Sequence, residues 1–283
     1  METARERSSQ GQFIQRLSHL PWWLLIVLLA GVVLVYQITT DELYSTILDK
    51  LVRGIGLTVF VTAIAYLAAI TIGLLVGLGR VSKNPIVYNL ATLYVQVIRG
   101  VPILVQLFYV TFVLTPLFFD LLNWIGLQLS GVLGPENFLT LAKTQDVRLE
   151  ARAIIALTIA YGGFEAETFR AGIESIGKGQ MEAARSLGMS YLQAMRYVIL
   201  PQAIRRILPP LGNDLIAMLK DSSLVSALGV RDVTQEARLF VSVTFRYRET
   251  YNMLAFMYLS MTILLSLGVK WLENRLGKDG RGT

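Results

Sequence analysis

The sequence predicts an all-α integral membrane protein with about six transmembrane helices. Three observations carry that expectation. The 283 residues are 54% hydrophobic and only 16% charged, where a soluble domain carries about a quarter charged residues. The apolar residues gather in uncharged runs long enough to cross a bilayer core of ~30 Å at ~1.5 Å per residue. Between two such runs lies Gln180–Pro201, which is too polar to be a span yet is patterned as helix.

Residues Met1–Ser18 are polar and carry Arg5, Arg7 and Arg16, so residues 1–20 read as a cytoplasmic tail. Leu20–Thr40 is uncharged and reads as an uncleaved first span, since no small-x-small site follows it. The one histidine, His19, stands beside Pro21-Trp22-Trp23 and reads as interfacial. Asp41–Arg53 is expected to be a short polar connection. Gly54–Gly79 is the second span, with Gly73 and Gly77 forming a small-residue pair that permits close helix approach. Arg80 and Lys83 close it with positive charge. Ile86–Leu114 is apolar but interrupted by Arg99-Gly100-Val101-Pro102. Pro116–Arg152 is mixed, with a turn at Gly134-Pro135 and a short helix expected near Asp120–Gln128. Ala153–Ala166 opens the fourth span, Ile207–Leu219 is the fifth and Tyr251–Leu272 the sixth. Leu224–Arg248 is polar or amphipathic, and residues 273–283 form a basic tail. The membrane domain is thus 21–272.

Charge sets the orientation. The segments that face inward when the N-terminus is inside hold 15 Lys/Arg against 6 Asp/Glu. That bias places both termini and Gln180–Pro201 in the cytoplasm. The net charge of +6 is spread among loops and gives no nucleic-acid patch. With no cysteine there is neither a disulfide nor a thiolate metal site.

Within Gln180–Pro201, Met181, Ala184, Gly188, Tyr191/Leu192, Met195 and Val198/Ile199 recur at helical spacing, with Glu182, Arg185, Gln193 and Arg196 opposite. Gly188 is placed to take positive φ after a helix end. Ser190 and Gln193 form a capping box that starts a second helix, and Pro201 is expected to end or bend it. The local expectation is two short helices joined at Gly188.

These residues resemble the EAA loop of ABC importer membrane subunits: Glu182-Ala183-Ala184, Arg185 and two more residues, Gly188, nine residues, then Val198-x-Leu200-Pro201. Only the first position of the closing Ile-x-Leu-Pro differs. The resemblance implies a coupling loop over 178–201 that docks on a separate cytoplasmic ATPase, present in two copies. Nearby Gly172-Ile-Glu-Ser-Ile-Gly177-Lys178-Gly179 nearly matches a phosphate-binding loop. It lacks the final hydroxyl and the preceding strand, so ATP and Mg²⁺ are expected on the ATPase and the chain is expected to be non-catalytic.

A narrower resemblance, to polar amino acid permeases of the histidine/glutamine type, rests on three segments. They are Phe164–Ile173 with Glu167 and Arg170, Arg99–Phe108, and Asn213 with Leu219-Lys220-Asp221-Ser222-Ser223-Leu224. Val101 and Phe164 stand where the family has Thr and Tyr. The resemblance implies a five-helix type I importer core plus an N-terminal span. It also implies a second permease subunit, identical or related, an extracytoplasmic binding protein, and a bacterial inner-membrane location. On that basis Glu167 and Asp214 are candidates to hold an ammonium or basic side chain. Arg99 and Lys220 are candidates for a carboxylate or an internal ion pair, and Glu165, Asn213, Asp221 and Ser222 also line the expected pathway. Glu165 and Glu167 point ~200° apart on a regular helix, so both line one path only if Gly162-Gly163 breaks it. The competing reading is a self-sufficient, ion-coupled secondary transporter, for which no internal repeat is evident. An intramembrane enzyme is poorly supported, lacking Cys and any HExxH.

Overall fold

The computed structural model describes residues 22–134 and 136–278, and the described residues are helix and turn. The expectations for the 1–20 tail, His19, Pro135 and residues 279–283 lie outside them. The principal elements are α1 (Trp22–Thr40), α2 (Glu42–Arg80), α3 (Pro85–Gly100), α4 (Ile103–Gln128) and α5 (Leu149–Glu174). They continue with α6 (Lys178–Ser186), α7 (Leu200–Asp221), α8 (Val233–Thr244) and α9 (Tyr247–Lys278). Among the described residues, α2, α4 and Tyr247–Arg275 of α9 are long and apolar enough to cross a membrane. Leu25–Thr40 of α1 is apolar but shorter. The chain is therefore an all-α membrane protein built as a helical bundle.

Residues 42–53 are helix, not a connection. Asp41 caps α2 by accepting a hydrogen bond from the Leu43 amide at 2.8 Å. Tyr44, Ile47 and Leu51 then bury a helical stripe against Val233, Met253 and Leu254. Glu42, Asp49, Lys50 and Arg53 face outward, so the segment is amphipathic and its fold depends on α8 and α9.

The break at Arg99–Pro102 is real. Val101 is extended at φ −112° and ψ 134°, as a residue before proline prefers. No second break occurs at Pro116, where the sequence reading divided the chain. Instead α4 widens into a π turn over Val110–Leu114, and the Thr115 hydroxyl donates to the Val110 carbonyl at 2.7 Å. Proline has no amide hydrogen and crowds the carbonyl four residues back; the wider turn accommodates it. The short helix expected near Asp120–Gln128 is the end of α4.

The most extensive packing is between α2 and α5, which run parallel: Thr158 Oγ1 donates to the Ala65 carbonyl at 3.4 Å, and Gly73 lies against Glu165. A Cβ on Gly77 would stand 2.8 Å from Phe169 Cβ and 3.0 Å from the Ala166 carbonyl oxygen. The small-residue pair therefore serves as expected. Gly162 and Gly163 do not break α5, which is continuous. They admit α3 instead: a Cβ at these positions would stand 2.8 Å from the Tyr94 hydroxyl and 2.6 Å from Ile98 Cγ2. Around the seam lie Val61, Ala65, Leu107, Leu157 and Met218.

Gly77→Leu is expected to lower stability by at least about 1–3 kcal/mol, the usual cost of overpacking. Gly56→Leu, where nothing lies within 4 Å, is expected to be neutral. Thermal melting of the two detergent-solubilised variants checks the contrast.

Candidate functional site

An elbow stands at the end of α2 that carries Arg80. It begins at Ser175–Gly177, where α5 has ended and Gly177 caps α6. Gly188 adopts φ +83°, a conformation that costs a residue with a Cβ. Ser190 and Gln193 form the capping box: the Gln193 amide donates to Ser190 Oγ at 3.2 Å. In return, the Ser190 amide donates to Gln193 Oε1 at 2.8 Å. The helix Tyr191–Ala194 continues through a π turn at Met195–Ile199 into α7. Pro201 therefore does not end the helix. As at Pro116, a π turn precedes the proline.

The elbow's inner face is Ala184, Ala194 and Ile199, with Met181, Met195 and Val198 half-buried. Ile199, Met181, Met195 and Val198 share an apolar cluster with Phe169, Ile173, Ala203 and Ile207 and with Leu74 and Leu78 of α2. Leu200 is half-buried and Pro201 exposed. Glu182, Ala183, Arg185, Gln193 and Arg196 are exposed, as the spacing requires. Leu192 and Leu187 are exposed too, at 77% and 81%. Leu192, Tyr191 and Gly188 thus leave the inner face assigned to them from the sequence. The result is an apolar patch ringed by charge on a projecting loop. Two polar contacts tie the elbow down: Arg206 donates to the Ser175 carbonyl, and Gln202 Nε2 donates to Gln180 Oε1 at 3.4 Å.

The charges expected to line the pathway fall into separate groups. Because α5 is unbroken, Glu165 and Glu167 face different ways. Glu165 is fully buried, and among the described residues no donor stands in hydrogen-bonding geometry to either carboxylate oxygen. Glu167 is gripped by Arg80 of α2 and Arg170 of its own helix; Arg99 stands 4.0 Å away, over the Phe164 ring at 5.9 Å. Arg80, read from the sequence only as a terminal charge, is therefore part of this node.

On α7, Asp214 and Asp221 are seven residues apart and both face α5. The Thr168 hydroxyl donates to Asp214 at 3.4 Å and the Tyr161 hydroxyl to Asp221 at 2.8 Å. Thr168 and Tyr161 are also seven apart, so the antiparallel pair carries regular polar rungs. The heptad spacing of Tyr161, Thr168 and Ser175 was the available signal for partners that sequence reasoning missed. Asn213 and Lys220 lie on the exposed face of α7, while Ser222 is buried and donates to the Leu219 carbonyl at 2.7 Å.

A helical membrane bundle with a projecting helix–glycine–helix elbow defines a class: the membrane-embedded subunit of a transporter moved by a partner on one face. The comparisons make it specific. The family described as "Binding-protein-dependent transport system inner membrane component" matches residues 69–278, and the chain belongs to that family. It is 38% identical over 222 residues to the probable glutamine ABC transporter permease protein GlnM of Bacillus subtilis, covering 78% of this chain and 91% of that protein. It is 33% identical over 228 residues to the glutamine transport system permease protein GlnP of Escherichia coli, covering 80% and 92%. A solved amino acid ABC transporter crystallised with histidines shares 36% identity at a TM-score of 0.65, covering 80% of this chain and 94% of that one. The chain is accordingly a permease subunit of an ABC-type importer, a non-catalytic membrane component that works with a separate ATPase and a solute-binding protein. The self-sufficient secondary transporter is set aside by this membership.

Glu167→Gln is expected to cost about 1–2 kcal/mol once solvent screening of the 27% exposed carboxylate is allowed for. Arg99→Gln, with its side chain 45% exposed, is expected to change stability by under about 0.5 kcal/mol. Melting curves of the solubilised variants read both.

Proposed function

We propose that this permease subunit moves polar or basic amino acids inward across a bacterial cytoplasmic membrane. It would act as one of two permease chains, identical or related, on two ATPase copies. The observation that carries the reading is the elbow. Its exposed Leu187 and Leu192, flanked by Glu182 and Arg185, offer a docking surface, while its inner face rests on α2, α5 and α7. Glu182, Ala183, Ala184, Arg185, Gly188, Leu200 and Pro201 form the coupling unit within 178–201. A partner that closes on the elbow thereby displaces three helices together.

The amino-acid substrate is inferred from the names of the similar proteins GlnM and GlnP. The excess of Lys/Arg on one side supports six spans with both termini and the elbow cytoplasmic. On this reading 1–20 and 273–283 are tails flanking a 21–272 permease domain. Glu165, Asp214 and Asp221 bias the interior towards cationic substrates. Arg99, Asn213 and Lys220 are exposed on one chain alone and are proposed to face the translocation path. Glu167 acts there by orienting Arg80 and Arg99, and Ser222 by fixing the end of α7.

Gly188→Pro forces a φ near −65° where +83° is required, and Glu182→Lys reverses a charge on the docking face. Both are expected to abolish ATPase co-purification and ATP-dependent uptake in vesicles. Unimpaired uptake by both variants overturns the coupling assignment. Uptake of radiolabelled arginine is expected to be competed by unlabelled glutamine and histidine. Arginine that neither enters nor competes removes the electrostatic argument for substrate choice. The intact mass of the solubilised complex checks the pairing of subunits.

A further inference from the structure

At the end of α2 remote from the elbow, a cavity of about 610 Å³ opens between α2 and α8. Its rim carries Lys50, Arg53 and Arg231, and its wall is formed by Leu239, Phe240 and Val243. Arg53 pairs with Asp49 at 3.0 Å, with both side chains well exposed, and Arg231 engages Glu236 through Nε at 2.9 Å. Lys50 has no acidic partner among the described residues. The rim thus keeps a net positive charge, and Arg246 follows the lining residue Thr244 by two positions.

What lies below the rim identifies the occupant. Lys50, Arg53, Leu57, Phe60, Ile64 and Leu67 recur at i+3 and i+4 and so form one face of α2. Leu57 is half-exposed, and Phe60, Ile64 and Leu67 are exposed at the surface of the chain. From Leu57 to Leu67 this apolar stripe spans ~15 Å, half of a hydrocarbon core of ~30 Å. A cationic, concave head above an exposed apolar groove one leaflet deep matches an amphiphile with an anionic headgroup. A soluble acidic protein would complement the rim but leave the stripe unmatched.

We propose that this cavity and stripe form a binding site for one anionic phospholipid, its phosphate held by Lys50, Arg53 and Arg231 and one acyl chain lying along Leu57–Leu67. The occupant is a membrane lipid, distinct from the transported solute, so the site is independent of the substrate assignment.

Native mass spectrometry of the delipidated permease–ATPase complex tests the site, with phosphatidylglycerol and phosphatidylcholine added separately and in competition. Phosphatidylglycerol is expected to be retained preferentially. Lys50→Gln, Arg53→Gln and Arg231→Gln are each expected to weaken retention by about fivefold. Arg275→Gln, near the far end of α9, is expected to leave it unchanged. Equal retention of the two lipids overturns the proposal, as does unchanged retention in the triple variant. So does displacement of the lipid by inorganic phosphate alone, which would mark a free-anion site. Cross-linking of a Lys50→Cys variant to a second copy of this chain would show the face to be a subunit contact and likewise overturn it. If the triple variant does not fold, the lipid comparison on the unmodified complex and the charge-preserving Lys50→Arg variant, expected to retain phosphatidylglycerol, still decide the matter.

Discussion

Gly73 and Gly77 let α2 and α5 approach until side-chain stubs touch backbone, and the positions of the other helices follow from that contact. In lipid there is little hydrophobic drive between helices, so association depends on close packing and hydrogen bonds. The seam supplies the first. With α5 fixed against α2 on one side, its Gly162 and Gly163 receive α3 on another. The remaining side meets α7 through both polar contacts and the apolar cluster of Phe169, Ile173, Ala203 and Ile207. Each neighbour of α5 thus meets a surface already shaped for it, and replacement of either seam glycine would shift all three contacts together.

The α5–α7 contact is of a different kind. Tyr161–Asp221, Thr168–Asp214 and Ser175–Arg206 recur at nearly constant spacing along two antiparallel helices. Interhelical hydrogen bonds in membranes average only about 0.6 kcal/mol, so three rungs contribute little to stability. Their value lies in register: sliding α7 by one turn would separate every donor from its acceptor. Helix α5 also keeps Glu165 and Glu167 apart. Glu167 is held by Arg80 and Arg170, whereas Glu165 is enclosed at the glycine seam with no ion-pair partner among the described residues.

The elbow was legible in the sequence because its features are local. Gly188 at positive φ, the Ser190–Gln193 box and the polar outer face each depend on a few adjacent residues. The errors fell where distant contacts decide. Residues 42–53 are helical only because α8 and α9 cover Ile47 and Leu51. Pro116 and Pro201 read as breaks, yet π turns absorb them, and a π turn leaves no compositional mark. Gly162-Gly163 read as a weak point in α5, while in fact the missing side chains make room for Tyr94 and Ile98. Arg80 read as a terminal charge because its partner is 87 residues away.

The elbow's footing is shared among three helices. Its inner residues share one apolar cluster with Leu74 and Leu78 of α2, Phe169 and Ile173 of α5, and Ala203 and Ile207 of α7. Close-packed interiors transmit displacement rather than absorb it, so this shared footing is what supports the coupling role proposed for the elbow. The Arg206–Ser175 bond closes the loop between the two helices that flank the elbow, and the Glu167 node joins α5 to α2 at the same end. Beyond that end the ties change in kind. Further along, α2 is held by α8 and α9, elements with no share in the elbow's cluster. The near ends of α2, α5 and α7 therefore meet in one packed cluster, whereas the far end of α2 packs on α8 and α9, and α9 also packs on α7, where a Cβ on Gly212 would stand 2.3 Å from Val269 Cγ1.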